Sequence, residues 1–261
     1  PSNNRIQVFD PNGQFLFTFG TFGSADGELD FPLGVATNSQ NDILIIDNGN
    51  SRVQVFNSSG EFQFKFGTPG FGDGGFTYPL GLTVDSEDRI IVGDAGSNRV
   101  QVFDSSGSFL FKIGSLGTGD GELNSPFDVT TDSLDNILIA DTGNNRTQVF
   151  NSEGEFLFKF GKINAEGGNF NFPVGVAVNK NEDIVVADAN NRRVQVFDQR
   201  GEFLFSFGQL GLEDEDFVYP LAVAVDTQNN IIVLDGGNNQ VKVFDQTGQF
   251  LFKFGTFGSE N

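Results

Sequence analysis

The sequence predicts an all-β protein: a six-bladed β-propeller of four-stranded antiparallel blades, with one blade lacking its inner strand pair in this chain. Three observations predict it. The chain overlays itself every 47 residues without insertion, Pro32 returning as Pro79, Pro126, Pro173 and Pro220, and Asp47 as Asp94, Asp141, Asp188 and Asp235. Each unit holds four short apolar runs divided by turn residues, and none has the i, i+3, i+4 spacing of a helix. The strand types also occur in unequal numbers. Runs like Arg52-Val-Gln-Val-Phe56 and Phe62-Gln-Phe-Lys-Phe66 have six copies, whereas those like Ile90-Ile-Val-Gly-Asp94 have five. A unit this long, repeated at a fixed period, is one supersecondary element stacked on its neighbours. Four strands with an apolar face on each side stack radially.

The second copy shows each element in turn. Leu80-Gly-Leu-Thr-Val-Asp85 is a β-branched run, and Ser86, Glu87 and Asp88 turn the chain into Arg89-Ile-Ile-Val-Gly-Asp94. Arg99-Val-Gln-Val-Phe-Asp104 and Phe109-Leu-Phe-Lys-Ile113 follow, joined through Gly107. The same turn in the first copy, Asp10-Pro-Asn-Gly13, reads as type I with Gly in the left-handed position. The second run, as in Ile43-Leu-Ile-Ile46, is apolar on both faces and belongs inside the sheet. The fourth alternates Phe62, Phe64 and Phe66 with Gln63 and Lys65, which suits an outer edge where charge discourages stray pairing. With 32 Phe and no Trp, Met or Cys, phenyl rings and aliphatic side chains pack the blades.

These boundaries predict a single propeller over 1–261: a half blade at 1–20, full units at about 21–67, 68–114, 115–161, 162–208 and 209–255, and a tail at 256–261. The missing inner pair is expected from residues outside this chain or from a neighbour; a five-bladed ring with a spare hairpin is the second option.

The unit Pro-x-Gly-Val-Ala-Val-Asp … Ile-x-Val-Ala-Asp-x-x-Asn-x-Arg-Val-Gln-Val-Phe-Asp resembles the NHL repeat along the whole chain. The resemblance implies six blades with the Val-Ala-Val strand lining a central channel. One departure is clear: the family's His position holds Asn4, Ser51, Asn98, Asn145, Arg192 and Asn239, and the chain has no His. Asp and Arg five apart, as in Asp47 and Arg52, are expected to pin the turn between them by a charge-assisted bond.

Composition removes several functions. A net charge of −20, with 15 basic against 35 acidic residues, argues against nucleic acid, whose phosphates demand cations. No apolar run is long enough for a membrane-spanning helix, so no membrane partner is expected. Without His or Cys, the usual triads, thiol nucleophiles and imidazole or thiolate zinc sites cannot be built. Calcium held by oxygen ligands survives, as in the lactonase-like propellers the fold resembles. Weak ligand candidates are Asp85, Asp132 and Asp226 at the inner strand's end, with Asp214 and Asp216 in the acidic loop Glu213-Asp-Glu-Asp216.

Function is sought where the copies differ. Phe31, Tyr78, Phe172 and Tyr219 precede the repeated Pro, with Ser125 in the third copy, and are candidates for an aromatic binding rim. Asp128 stands where the other copies have Gly34, Gly81, Gly175 and Ala222, and would form the odd wall of that site. The approach loops also vary, from Gly119-Asp-Gly-Glu122 to Ala165-Glu-Gly-Gly-Asn169. The leading reading is a non-catalytic scaffold that binds a protein or peptide, without a cofactor. Self-assembly through the incomplete blade, with another copy as partner, belongs to that reading. The alternative is a calcium-dependent lactonase-like hydrolase with Asp128 or Asp132 near the metal. Acidity and the absence of Cys fit an extracellular or cell-surface setting, although a lack of disulfides fits the cytosol equally well.

Overall fold

A computed structural model describes residues 3–161 and 167–258; the start of the fourth approach loop, at 162–166, lies outside them. The chain divides into two compact units, one running to Pro126 and one from Phe127 to Gly258.

The first unit opens with β1 (Ile6–Phe9) and β2 (Phe15–Phe19), an antiparallel two-stranded sheet. Blade 1 follows as β3 (Pro32–Thr37), β4 (Ile43–Asp47), β5 (Arg52–Phe56) and β6 (Phe62–Phe66), hydrogen-bonded in that order. Two short segments, β7 (Thr68–Pro69) and β8 (Gly75–Phe76), pair in parallel across the approach loop. Blade 2 is β9 (Pro79–Val84), β10 (Ile90–Asp94), β11 (Arg99–Phe103) and β12 (Phe109–Ile113).

The second unit contains three further meanders. Blade 3 is β13 (Pro126–Thr131), β14 (Ile137–Asp141), β15 (Arg146–Phe150) and β16 (Phe156–Phe160). Blade 4 is β17 (Pro173–Val178), β18 (Ile184–Asp188), β19 (Arg193–Phe197) and β20 (Phe203–Phe207). Blade 5 is β21 (Pro220–Val225), β22 (Ile231–Asp235), β23 (Gln240–Phe244) and β24 (Phe250–Phe254).

Among the described residues the protein therefore has five four-stranded blades, not six with one incomplete. The expected sixth blade is absent because β1 and β2 have only each other as ladder partners and no described segment supplies inner strands. Strand order otherwise follows the sequence reading. The second strands of blades 1–4 are buried on both faces, as Ile90, Ile91 and Val92 at 0–2% exposure illustrate, whereas in blade 5 Leu234 is 41% exposed. The alternating Phe and Lys strand takes the outer edge.

Turn chemistry explains the regularity. At the third turn of each meander an Asx side chain accepts two backbone N–H bonds, as Asp10 does from Asn12 and Gln14 at 2.8 Å, and the following Gly13 takes φ 78°. Between second and third strands of blades 1–4 a single 3-10 turn ends in a left-handed residue; Asn98 has φ 53° there and Asn145 has φ 51°.

Phenyl rings weld successive blades. In the first unit Phe66, Phe76 and Phe103 form one triad, with centroids 4.9–6.5 Å apart. In the second, Phe160, Phe170 and Phe197 form another, and Phe207, Phe217 and Phe244 a third. Each triad joins the last strand of one blade to the approach loop and third strand of the next. Full burial of one such ring is worth roughly 1.5–3 kcal/mol, so these seams supply much of the cohesion.

Candidate functional site

The repeated charges are structural before they are anything else. In blade 1, Asp47 is fully buried; one oxygen accepts the Asp30 N–H at 2.6 Å and the other meets Arg52 Nε at 2.7 Å and Gln54 at 3.1 Å. The remaining Arg52 nitrogens donate to the carbonyls of Ser24, Ala25 and Glu28. The pair thus holds the approach loop as well as the turn it flanks. Arg193 with Asp188 repeats this in blade 4.

Blade 5 reaches the same end differently. Gln240 stands in the Arg column, and Lys242 stands where the other blades have Gln. Lys242 is fully buried, 3.5 Å from Asp235, donates to the carbonyls of Glu213 and Asp216, and lies 5.5 Å from the Phe217 ring centroid. A buried carboxylate needs a cation, and the site keeps one by moving it two residues along the strand.

Each of the weak metal candidates has neighbours of its own. Asp85 accepts the N–H groups of Glu87 and Arg89 and pairs with Arg89 Nε at 2.6 Å. Asp132 and Asp226 close the equivalent turns, each bonded to the backbone and side chain of Asn136 or Asn230. Asp214 pairs with Lys253 at 2.8 Å, and Asp216 accepts the Glu213 N–H. Among the described residues no group of three or more acidic side chains gathers as a cation cage would require.

The aromatic column divides by backbone. Phe31, Ser125 and Phe172 have φ of 53°, 49° and 62°, and their N–H groups donate to Asn4, Asn98 and Asn145 of the preceding repeat at 2.8–2.9 Å. Tyr78 and Tyr219 instead donate to Asp94 and Asp235 of their own blades, both at 2.9 Å. These two follow the repeats whose turn ends in Ser51 and Arg192, which offer no amide oxygen. In the first unit Phe31 and Tyr78 remain 41% and 46% exposed.

The rim candidates in the second unit draw together. Phe172 and Tyr219 are half-buried against one apolar cluster that includes Val174 and Ala189. Phe127 joins them, edge-on to Phe172 with centroids 6.2 Å apart. Sequence reasoning passed over Phe127, although it is the one aromatic in a column otherwise Leu33, Leu80, Val174 and Leu221.

Its neighbour Asp128 reaches across from blade 3 and accepts the Val176 N–H of blade 4 at 3.0 Å. Burial pushes this carboxyl up to about 7, against the pull of hydrogen bonds from the Val176 and Val129 N–H groups. Burial also raises the Tyr219 phenol above its ordinary value. Close packing explains why the equivalents of Asp128 are small. A Cβ on Gly34 would lie 2.5 Å from the Leu80 carbonyl, and one on Gly175 2.9 Å from the Val223 nitrogen, so this column marks the closest approach of adjoining inner strands. Asp128 fills that contact with a hydrogen bond. Asp132, Glu182, Leu138 and Phe158 line a cleft of about 230 Å³ between blades 3 and 4.

Comparison with known proteins agrees with the fold. The NHL repeat profile matches residues 29–56, 76–103, 170–197 and 217–244, four of the five blades. No curated protein sequence matches the chain. Among solved structures, one from a nidogen/laminin complex aligns with TM-score 0.71 at 16% identity, over 96% of this chain and 89% of that one. A gluconolactonase from Xanthomonas campestris aligns with TM-score 0.67 at 17% identity, over 89% and 78%. A streptogramin B lyase aligns with TM-score 0.66 at 13% identity, over 87% and 69%. At these identities the likeness is one of fold. The matched repeats and the five four-stranded blades support an NHL-repeat β-propeller.

Proposed function

We propose that this protein is a non-catalytic binding module that engages a protein or peptide through the aromatic rim of its second unit. One observation carries the reading: two departures from the repeat, Phe127 and Asp128, are adjacent, and both contact blade 4, where Phe172 and Val176 receive them. Symmetric positions serve the fold, so a local break in symmetry is where a partner is recognised. Half-buried rings beside a carboxyl suit an apolar or aromatic side chain followed by a hydrogen-bond donor. The likeness to a nidogen/laminin structure supports the reading at the level of fold. Panning a random peptide library on the purified protein tests it. Enriched peptides should lose about tenfold or more in affinity to Phe172→Ala and to Asp128→Asn; enrichment indifferent to both would overturn it.

Self-association through the β1–β2 hairpin is a weaker form of this reading. Among the described residues each copy has six outer strand pairs but five inner pairs, all five already laddered to their own outer strands.

The second reading, a calcium-dependent hydrolase, draws on the likeness to a gluconolactonase. A lactone panel assayed with Ca²⁺ should give no turnover above Ca²⁺ alone. Turnover that falls on Asp132→Asn or Asp226→Asn would favour the enzyme.

A further inference from the structure

Adjoining blades are tied at the turns that follow their inner strands, and the tie between blades 3 and 4 is weaker than two others. Between blades 1 and 2, Asp88 accepts the Ser39 N–H at 2.9 Å, the Ser39 hydroxyl at 2.6 Å and the Gln40 amide at 3.3 Å. Between blades 4 and 5, Lys180 donates its N–H to Asn229 at 3.0 Å and its ammonium to the Thr227 carbonyl at 2.6 Å. Between blades 3 and 4 the equivalent residues are Ser133, Leu134 and Glu182. Among the described residues one contact joins them, the Ser133 N–H at 3.4 Å from a Glu182 oxygen.

Two departures from the repeat produce this. Leu134, 78% exposed, replaces the Gln40 whose amide crosses the first seam. Glu182 has φ 65° in a column otherwise Asn41, Asp88, Asp135 and Asn229, residue types that tolerate a left-handed backbone. Glu has no such preference, so turn chemistry does not account for its presence.

The cleft of about 230 Å³ at this seam combines apolar walls with two carboxylates. Leu138, Val149 and Ile184, at 1–2% exposure, line it together with the partly buried Phe158 and Val178. Asp132 and Glu182 carry its charge, and no Lys or Arg is among its lining residues. Asp132 is occupied by the N–H groups of Leu134 and Asn136 and by the Asn136 amide. Glu182 is the carboxylate with acceptor capacity to spare.

We propose that this cleft binds a small primary amine with an aromatic or aliphatic body, its ammonium paired with Glu182 and its body against Phe158 and Val178. Size and charge set the class. A dry cavity of about 150 Å³ takes a benzene ring, so this one has room for a ring and a short arm. It is smaller than the usual drug-sized pocket. An ammonium supplies the charge-assisted bonds that the Glu182 carboxylate lacks, and Asp132 adds to the attraction. Leu134 extends the apolar surface where Gln40 would have offered an amide. Phe172 precedes β17 and Val178 ends it, so the cleft and the aromatic rim share no residue, and neither reading depends on the other.

Phenethylamine is the probe, titrated into the full chain and followed by calorimetry. It should saturate one site in the submillimolar range. Phenethyl alcohol, its neutral counterpart, and the anion hydrocinnamate should bind about tenfold more weakly or worse. Glu182→Gln keeps the length of the side chain and an oxygen for Ser133, and should weaken the amine about tenfold. Leu134→Gln places blade 1's residue at this seam, offers Glu182 a competing amide and should weaken the amine as well. Both variants should unfold as the parent does. Glu61→Gln, in the first unit, also removes one acid and should leave binding unchanged, which separates a built site from the general pull of a chain with net charge −20. No saturation in the millimolar range, equal binding of the alcohol, or indifference to Glu182→Gln would overturn the proposal. So would tighter binding of acetyl-lysinamide, which would make the occupant a protein's lysine side chain rather than a free amine.

Discussion

Asp128→Asn should make the protein more stable at neutral pH, and the size of the gain should depend on pH. The Asp128 carboxyl has a pKa of about 7 in the folded state against an ordinary 3.8, because burial disfavours its charge. Below about pH 4 both folded and unfolded chains hold the proton, and the residue then carries no ionisation penalty. From pH 4 to 7 the unfolded chain releases its proton while the folded chain retains it, so stability falls as pH rises, levelling off above about 7. At 1.36 kcal/mol per unit the full penalty is about 4 kcal/mol, and a working figure of about 2–4 allows for relaxation of the seam. Asn is neutral throughout and keeps an oxygen for the Val176 N–H, so the hydrogen bond survives while the penalty goes. Urea denaturation of both proteins at pH 4, 6 and 8 should give curves that coincide at pH 4. By pH 8 they should separate by about 2–4 kcal/mol, or about 5–10 °C in a thermal scan. A difference that stays constant across this range, or an Asn variant less stable at pH 8, would refute the reasoning.

Other perturbations probe the seams and clamps. Lys242→Gln should cost about 3–5 kcal/mol in chemical denaturation, because Asp235 would stay buried without its cation. Adding Gln240→Arg to that variant rebuilds the pattern of the other blades and should recover most of the loss. Asn145→Gly suits the local φ of 51° but removes the acceptor for the Phe172 N–H, and should cost about 1 kcal/mol by urea titration. Asn145→Ala adds left-handed strain at the same residue and should cost about 1–2 kcal/mol more.

Local order was legible because every turn carries its own chemistry. The Asx residue that closes the third turn, the Gly that follows it and the run of aliphatic residues in the second strand each specify their conformation within a few residues. The Asp and Arg pair was also readable from its spacing; its grip on the approach loop was not, since Ser24 and Ala25 contribute only carbonyl groups. The blade count went astray for a related reason. Two outer strands in the sequence imply a blade only if inner strands pair with them, and strand type alone cannot supply that partner.

The site was half legible, and the missing half shows where repeat sequences conceal information. Asp128 stood out as a break in its own column, but its meaning lies in Val176, one blade away and itself unremarkable. The aromatic column looked uniform, yet its backbone conformation depends on a residue 27 positions earlier, as Asn145 is for Phe172. Where that residue supplies an amide oxygen, the following Phe or Ser takes a left-handed φ, and the bond across the seam offsets the strain. Where it is Ser51 or Arg192, a Tyr follows, turned to its own blade's Asp94 or Asp235. The two Tyr residues are thus consequences of the turns before them as much as candidates for a rim. A column in a repeat protein is best read together with the column it touches, because the interface between blades, rather than the blade, decides what each position can do.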